Sequence, residues 1–379
     1  MKKKVLIIGC GFAGCFAGYF LSRHKKDVEV TVIDRKETFD FLPMLPDVVG
    51  RGIDPEFLAY PISALSSRLG FTFINDEVKS VDLNNNTVIT SRSSLGYDYL
   101  LVSSGSETNF YGNDQMRKNS YKLDSVSDVK TITAAISRKK FDSYIIAGGG
   151  YTGVEIASGL RVLLNEKSLH KKIIIIERSA SILGSLPEWM KEYALNNLKN
   201  NLGINIITDT TVDKAAEEKI VLSNGQMFDP AMLIWVAGVR TADFIQNLNV
   251  EKNPQGRVKV DEYLKIRGNC FITGDCAYVS HGNGFLRMAV QFAIYQSLVA
   301  ASNIISSIRG GQLRRYQPID LGYIIPMANN RSCGQIIGVN VKGAAATASH
   351  FLMCIYRSLG LRNKLGVIKN LITPSRLPS

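Results

Sequence analysis

Two carboxylates in this 379-residue chain stand where they could meet a ribose. Gly9-Cys10-Gly11-Phe12-Ala13-Gly14 is followed, 20 residues after its last glycine, by Asp34 at the end of the β-branched run Val28–Ile33. Gly148-Gly149-Gly150-Tyr151-Thr152-Gly153 is followed, 24 residues on, by Glu177 at the end of Lys172–Ile176. The chemistry expected of each pattern is phosphate and ribose recognition. In G-x-G-x-x-G the first glycine permits a tight turn and the second lets backbone reach a pyrophosphate. The third lets helix and strand pack closely, and the acid on the next strand accepts from a ribose hydroxyl. The helix that follows turns its unpaired N–H groups toward the phosphates. Strand, glycine turn, helix, strand and acid recur 139 residues apart, which predicts two dinucleotides on one chain.

Other readings compete for the first of these stretches. Cys10 and Cys15 have the C-x4-C spacing of a redox pair, and Val5–Leu21 is an uncharged run of 17 residues after MKKK, as in an exported or lipidated protein. Four of those 17 are glycines, and the run is short for a bilayer. The strand and acid that follow are what a nucleotide-binding unit needs, so folding rather than export is expected. Cys10 occupies a variable position of the turn and Cys15 the first helical turn; both are expected to pack as small buried residues. Six cysteines without a regular framework point to a reducing compartment. No metal site is expected. A formal net charge of +12 calls for an anionic partner: nucleotide, nucleic acid or anionic lipid.

A third element links distant parts of the chain. Cys270–Ala277 (CFITGDCA), with its Gly274-Asp275, and Tyr97–Ser106 (YDYLLVSSGS) together resemble the paired signatures of two-dinucleotide flavoproteins. The resemblance covers about residues 4–305. It implies FAD on the first unit, NAD(P)H on the second, and Asp275 accepting from the ribityl chain. In the disulfide reductases of that superfamily the C-x4-C lies farther along, against the reactive ring; here it does not.

Thr152-Gly153-Val154-Glu155 resembles the TGVE segment of type II NADH dehydrogenases, single-subunit enzymes that reduce membrane quinone without pumping protons. Further matches are Thr31–Asp34 with Arg35 (in VTVIDR), Pro43 in FLPML, Tyr97–Leu101 and Leu233–Gly238 (LIWVAG). The resemblance implies that Glu155 lies beside nicotinamide and flavin and delivers protons. Thr152 and Glu155 also have the spacing of a helix capping box. Val290–Tyr295 (VQFAIY) falls where that family has A-Q-x-x-x-Q, which makes Gln291 and Tyr295 the expected quinone contacts, one helix turn apart; Gln296 is displaced from their face. The FAD-binding set expected is Gly9, Gly11, Phe12, Ala13, Gly14, Asp34, Arg35, Pro43, Val78, Ser104, Gly105, Asp275 and Gln291. The NADH-binding set is Gly148, Gly150, Tyr151, Thr152, Gly153, Glu177, Arg178, Ala237 and Gly238. Glu177 would repel a 2′-phosphate and favour NADH, although the adjacent Arg178 leaves NADPH open.

From Leu321 to Ser379 there is no acid, while Arg331, Lys342, Arg357, Arg362, Lys364, Lys369 and Arg376 are basic. Leu361, Leu365, Ile368 and Ile372 follow helical spacing after the apolar run Phe351–Tyr356. A basic amphipathic helix of this kind suits an anionic membrane surface. The expected architecture is α/β: two Rossmann-like dinucleotide-binding domains, FAD on 1–112 and 245–310 and NAD(H) on 113–244. A small C-terminal membrane-association module follows at 311–379, after Arg309-Gly310-Gly311, and Asn224-Gly225 is read as a hairpin turn.

The function implied is that of an NADH:quinone oxidoreductase at the cytoplasmic face of a prokaryotic membrane, without nucleic acid and with dimerisation left open. The alternatives are a sulfide:quinone oxidoreductase and a ferroptosis-suppressor-like or apoptosis-inducing-factor-like flavoprotein. The first needs two cysteines near the flavin, one from mid-chain, and none lies between Cys15 and Cys270.

Overall fold

A computed structural model describes residues 1–138, 141–282 and 284–374. Arg376 lies outside the described residues. The elements that position the site, in chain order, are β1 (Lys3–Ile8), α1 (Phe12–Ser22), β2 (Val28–Asp34), α2 (Leu45–Arg51), β3 (Thr72–Asn75) and β4 (Tyr99–Val102). They continue with β5 (Ser143–Ala147), α3 (Tyr151–Glu166), β6 (Lys172–Ile176), β7 (Asn205–Ile207), β8 (Ala231–Trp235) and β9 (Cys270–Ile272). Last come α4 (Val290–Ile308), α5 (Gly343–Arg357) and α6 (Leu361–Ile372).

Two compact units form. The first comprises Met1–Phe39, Tyr60–Glu107 and Val239–Asp320. Its sheet has the order Lys265–Arg267, β9, β4, β1, β2, β3, parallel except for the first pair. Val5–Ile8 are buried throughout, as expected of a parallel strand covered on both faces. The uncharged run that could have been an export signal is therefore a central strand and its crossover helix. No helix among the described residues is long and apolar enough to cross a membrane. The distant Gly274-Asp275 is brought home because β9 pairs with β4, setting Phe271 beside Leu101.

The second unit comprises Asp40–Ala59, Thr108–Gly238 and Leu321–Ser379. Its sheet, β7-β6-β5-β8, is wholly parallel, with Ile145 between Ile174 and Leu233. All five residues of β5 and of β8 are buried. Lys219–Leu222 and Met227–Phe228 form the expected antiparallel hairpin, with Gly225 at φ +85°.

The units divide the chain differently from the sequence expectation in two main ways, besides smaller boundary shifts such as residues 311–320, which fall in the first unit. From Leu321 onward the C-terminal segment is part of the second unit rather than a module of its own, and so is Asp40–Ala59. The cause of the second difference is a close helix crossing. A Cβ built on Gly50 of α2 would stand 2.5 Å from the Cα of Gly159 of α3, so only glycines allow the two backbones to meet.

Candidate functional site

The two glycine turns have the same geometry. Gly11 and Gly150 are the N-caps of α1 and α3, with φ/ψ of −76°/−160° and −77°/−168°, and neither helix has a side-chain cap. A helix start left uncapped by side chains keeps N–H groups available to a phosphate. The third glycine of each turn is sterically obligatory. A Cβ on Gly14 would lie 1.8 Å from Gly9 O, and one on Gly153 would lie 1.9 Å from Gly148 O. A Cβ on Gly11 or Gly150 would meet nothing within 4 Å. Each turn is thus crushed against its strand on one side and open on the other, a cradle into which a pyrophosphate fits.

The acids complete the likeness. Asp34 accepts from Cys10 N (2.7 Å) and Lys36 N (2.8 Å). Glu177 accepts from Gly149 N (2.8 Å) and Ser179 N (2.8 Å). Each carboxylate is held by the turn beside it and by the backbone two residues on, so its remaining lone pairs are aimed rather than free to wander. Burial raises the carboxyl of Asp34, and the Cys10 and Lys36 N–H groups oppose that shift.

Around the first turn lies a crevice of about 170 Å³ lined by Gly9, Asp34, Arg35, Val78, Ser104 and Ser106 among others. Ser104 Oγ is buried there beside the Cys276 thiol. Gly105 is left-handed at φ +69° with open space where a side chain would stand. Ser106 Oγ donates to Asp275 Oδ2 (3.2 Å), and burial pushes the Asp275 carboxyl up against the pull of Arg257. A Cβ on Gly274 would reach Ala13 of α1 at 3.4 Å and Ala293 of α4 at 3.7 Å, so Phe12, Ala13 and the Gly-Asp turn share one end of the sheet. Pro43 stands in a short 3-10 turn of the second unit.

At the second turn, Gly148 abuts Val236 O and Ala237, and Gly238 is left-handed beside Tyr111. Arg178 is exposed next to Glu177, and the Tyr151 ring packs edge-on against Tyr323 at 6.3 Å. The capping box expected of Thr152 and Glu155 does not form, because α3 starts earlier, with Gly150 as its cap. Glu155 instead keeps only partial exposure, and protein packed around its carboxyl pushes it up to about 8, helped by Asp47 and opposed by His350.

That value has a consequence for stability. In the unfolded chain Glu155 ionises at an ordinary 4.5, whereas the folded chain holds the proton to about 8. Folded protein therefore binds more protons in that window, and stability falls as pH rises through it. Glu155→Gln is expected to match the parent below about pH 4.5 and to gain on it up to about pH 8. Above that the gap, on the order of a few kcal/mol, stays constant. Urea titrations across this range measure it.

Gln291 and Tyr295 on α4 are each committed to another side chain. Gln291 Nε2 donates to Asp320 Oδ1 (3.1 Å), a carboxylate also gripped by Arg287, and Tyr295 Oη accepts from Arg314 (2.8 Å). The amide that spacing had set aside, Gln296, is the buried one. Its Oε1 accepts from Gly274 N (2.7 Å), which pins the turn that carries Asp275. An amide on the buried face of the helix was the available signal; its partner 22 residues away was not visible in sequence.

All six cysteines are buried and unpaired. The Cys15 contact and burial together push the Cys10 thiol far above its ordinary range, and burial holds Cys276 up to about 11. Thiols without thiolate character are poor nucleophiles and poor electron relays.

A duplicated strand, glycine turn and helix, each closed by an acid, defines an α/β protein with two Rossmann-like dinucleotide-binding domains. Residues 3–302 match the pyridine nucleotide-disulphide oxidoreductases, and the chain belongs to that family. It is 27% identical to the demethylphylloquinone reductase NdbB of Synechocystis sp., over 98% of this chain and 96% of that one. It is 25% identical to the type II NADH:quinone oxidoreductase of Staphylococcus saprophyticus, over 91% and 92%. The structure of NDH2 from Plasmodium falciparum in complex with NADH superimposes with a TM-score of 0.86 at 16% identity, covering 100% of both chains.

Proposed function

We propose that this chain is an FAD-dependent type II NADH:quinone oxidoreductase, with FAD at the Gly9–Gly14 turn and NADH at the Gly148–Gly153 turn. The observation that carries the proposal is the pair of like cradles, each with a crushed third glycine, an open second glycine and a backbone-held acid. When bound, the flavin supplies the chemistry, accepting a hydride and returning two electrons to an acceptor. The protein supplies the rest.

Asp34 and Glu177 take the ribose hydroxyls, and the capless starts of α1 and α3 take the pyrophosphates. Glu177 disfavours a 2′-phosphate, so NADH is the preferred donor. Gln296 and Ser106 fix Asp275 for the ribityl chain. Glu155, neutral at pH 7, holds a proton that quinone reduction consumes. Gln291 and Tyr295 serve as the quinone contacts, since accepting from Arg314 leaves the Tyr295 O–H able to donate to a quinone carbonyl. With every cysteine buried and none in mid-chain, a sulfide-oxidising mechanism has no pair to work with.

Membrane contact is supported by an inverted helix. On α6, Asn363, Gly366, Val367 and Asn370 face inward, while Leu361, Leu365, Ile368 and Ile372 are exposed. The polar residues are anchored: Asn363 Nδ2 donates to Ala59 O (3.1 Å), and Asn370 Oδ1 accepts from Asp54 N (2.9 Å). Leu352, Met353 and Tyr356 of α5 are also exposed, and Arg357, Arg362, Lys364 and Lys369 lie on the same two helices. Apolar side chains turned out among bases fit a peripheral protein on anionic lipid, from which an apolar quinone is drawn. We place that surface at the cytoplasmic face of a prokaryotic membrane.

Stopped-flow mixing tests the function. Purified yellow protein is expected to bleach with NADH and to recover its colour with a short-chain quinone. A colourless protein, or bleaching that no quinone reverses, would overturn the assignment.

A further inference from the structure

Residues 311–320, which close the first unit, form neither helix nor strand and run back along α4 in reverse order. Asn303, fully buried on α4, exchanges two hydrogen bonds with the Arg314 backbone. Arg314 N donates to Asn303 Oδ1 (2.7 Å), and Asn303 Nδ2 donates to Arg314 O (2.9 Å). Nearer the start of the helix, the Tyr316 ring packs on the Tyr295 ring at 5.5 Å, and Asp320 accepts from Gln291 (3.1 Å). Arg314 is thus fixed at its backbone although the residue itself is exposed.

The guanidinium of Arg314 is given to one side chain. Its Nη2 donates to Tyr295 Oη (2.8 Å), with the guanidinium carbon 5.7 Å from the ring centre. The neighbouring Arg315 pairs with Glu262, and Arg287 with Asp320, but Arg314 pairs with no carboxylate among the described residues. Tyr295 is half-buried, and its hydroxyl donates to nothing among those residues. A phenol has one hydrogen to give and an oxygen that also accepts. With a donor on one side of that oxygen, the hydrogen turns to the other. Tyr295 therefore offers a ligand a donor and no acceptor, where an amide in its place would offer both.

We propose that Arg314 makes Tyr295 a donor-only contact and thereby sets the quinone site for the oxidised ring over the reduced one. A quinone carbonyl only accepts, and it meets the Tyr295 O–H without conflict. A quinol hydroxyl accepts more weakly and has a hydrogen of its own to place, for which the Arg314-bound phenol has no acceptor. The product is held less firmly than the substrate, and selectivity is that difference in affinity. Arg314 acts through Tyr295, which makes it a positioning residue. The inference rests on the reading of Tyr295 as a quinone contact.

Anaerobic turnover of the holoprotein with NADH and duroquinone, with duroquinol added as inhibitor, reads the ratio of the quinol inhibition constant to the quinone KM. Arg314→Met is expected to lower that ratio about 3- to 10-fold, the worth of one ordinary hydrogen bond, because the freed phenol oxygen can then accept from the quinol. Arg314→Lys, which can still donate to Tyr295, should keep most of the parent ratio. In a Tyr295→Phe background the arginine has nothing to act on, so adding Arg314→Met should lower the ratio no further. An Arg314→Met protein of normal flavin content with the parent ratio would overturn the proposal. So would a further fall of the ratio in the Tyr295→Phe background. The underlying reading fails by a different result: an unaltered duroquinone KM in Tyr295→Phe would remove Tyr295 from the quinone site, and the role of Arg314 with it.

Discussion

Gly153→Ala is expected to leave a yellow protein that binds NADH about 10- to 100-fold more weakly. The added methyl would stand 1.9 Å from Gly148 O, so α3 must back away from β5 and carry its capless first turn off the phosphates. Overpacking of this kind costs about 1–3 kcal/mol, and each 1.4 kcal/mol is about tenfold in affinity. The clash lies wholly within the second unit, so flavin content should be unchanged. Gly14→Ala is the mirror experiment: its methyl would meet Gly9 O at 1.8 Å, and the flavin should be lost instead. Flavin absorbance per chain and NADH titration separate the two. Equal damage to both ligands from either variant would refute the assignment of one cofactor to each copy.

The double variant Leu361→Glu, Leu365→Glu is expected to weaken binding to anionic vesicles by roughly 100-fold or more. Burying each leucine in lipid is worth about 1.5–3 kcal/mol, and each new carboxylate also repels the surface. The fold should tolerate the change. Both residues are exposed, at 72% and 56%, and the helix is held from its other side by Asn363 and Asn370. NADH-driven reduction of a water-soluble quinone should therefore be unaltered while vesicle co-sedimentation falls. Undiminished sedimentation would mean that some other surface meets the membrane.

What was legible beforehand was what neighbouring residues decide among themselves. The clash between the first and third glycines of each turn is local, and so is the reach from turn to acid, so Gly9, Gly14, Asp34 and their duplicates could be read from spacing alone. The stripe of Leu361, Leu365, Ile368 and Ile372 was legible as an amphipathic pattern. The other half of that helix was not, because burying Asn363 and Asn370 depends on Ala59 O and Asp54 N, some 300 residues earlier. Gln296 was passed over for the same reason: its acceptor role exists only once β9 has delivered Gly274. The capping box at Thr152 and Glu155 was a local rule overruled by its own neighbour, since Gly150 starts the helix and frees the glutamate for the core. Arg314 carried no signal at all until the segment after α4 brought it beside Tyr295.

The route of the backbone has a practical consequence. Asp40–Ala59 is threaded through the early part of the gene product yet supplies the ridge that seats against Gly159, the acceptor for Asn363 and the donor for Asn370. A fragment running only from Thr108 to Gly238 would carry the whole second glycine turn and still leave the flank of α3 bare. Anyone seeking the pyridine-nucleotide half by itself would have to splice three discontinuous stretches together, and simple truncation should yield aggregates.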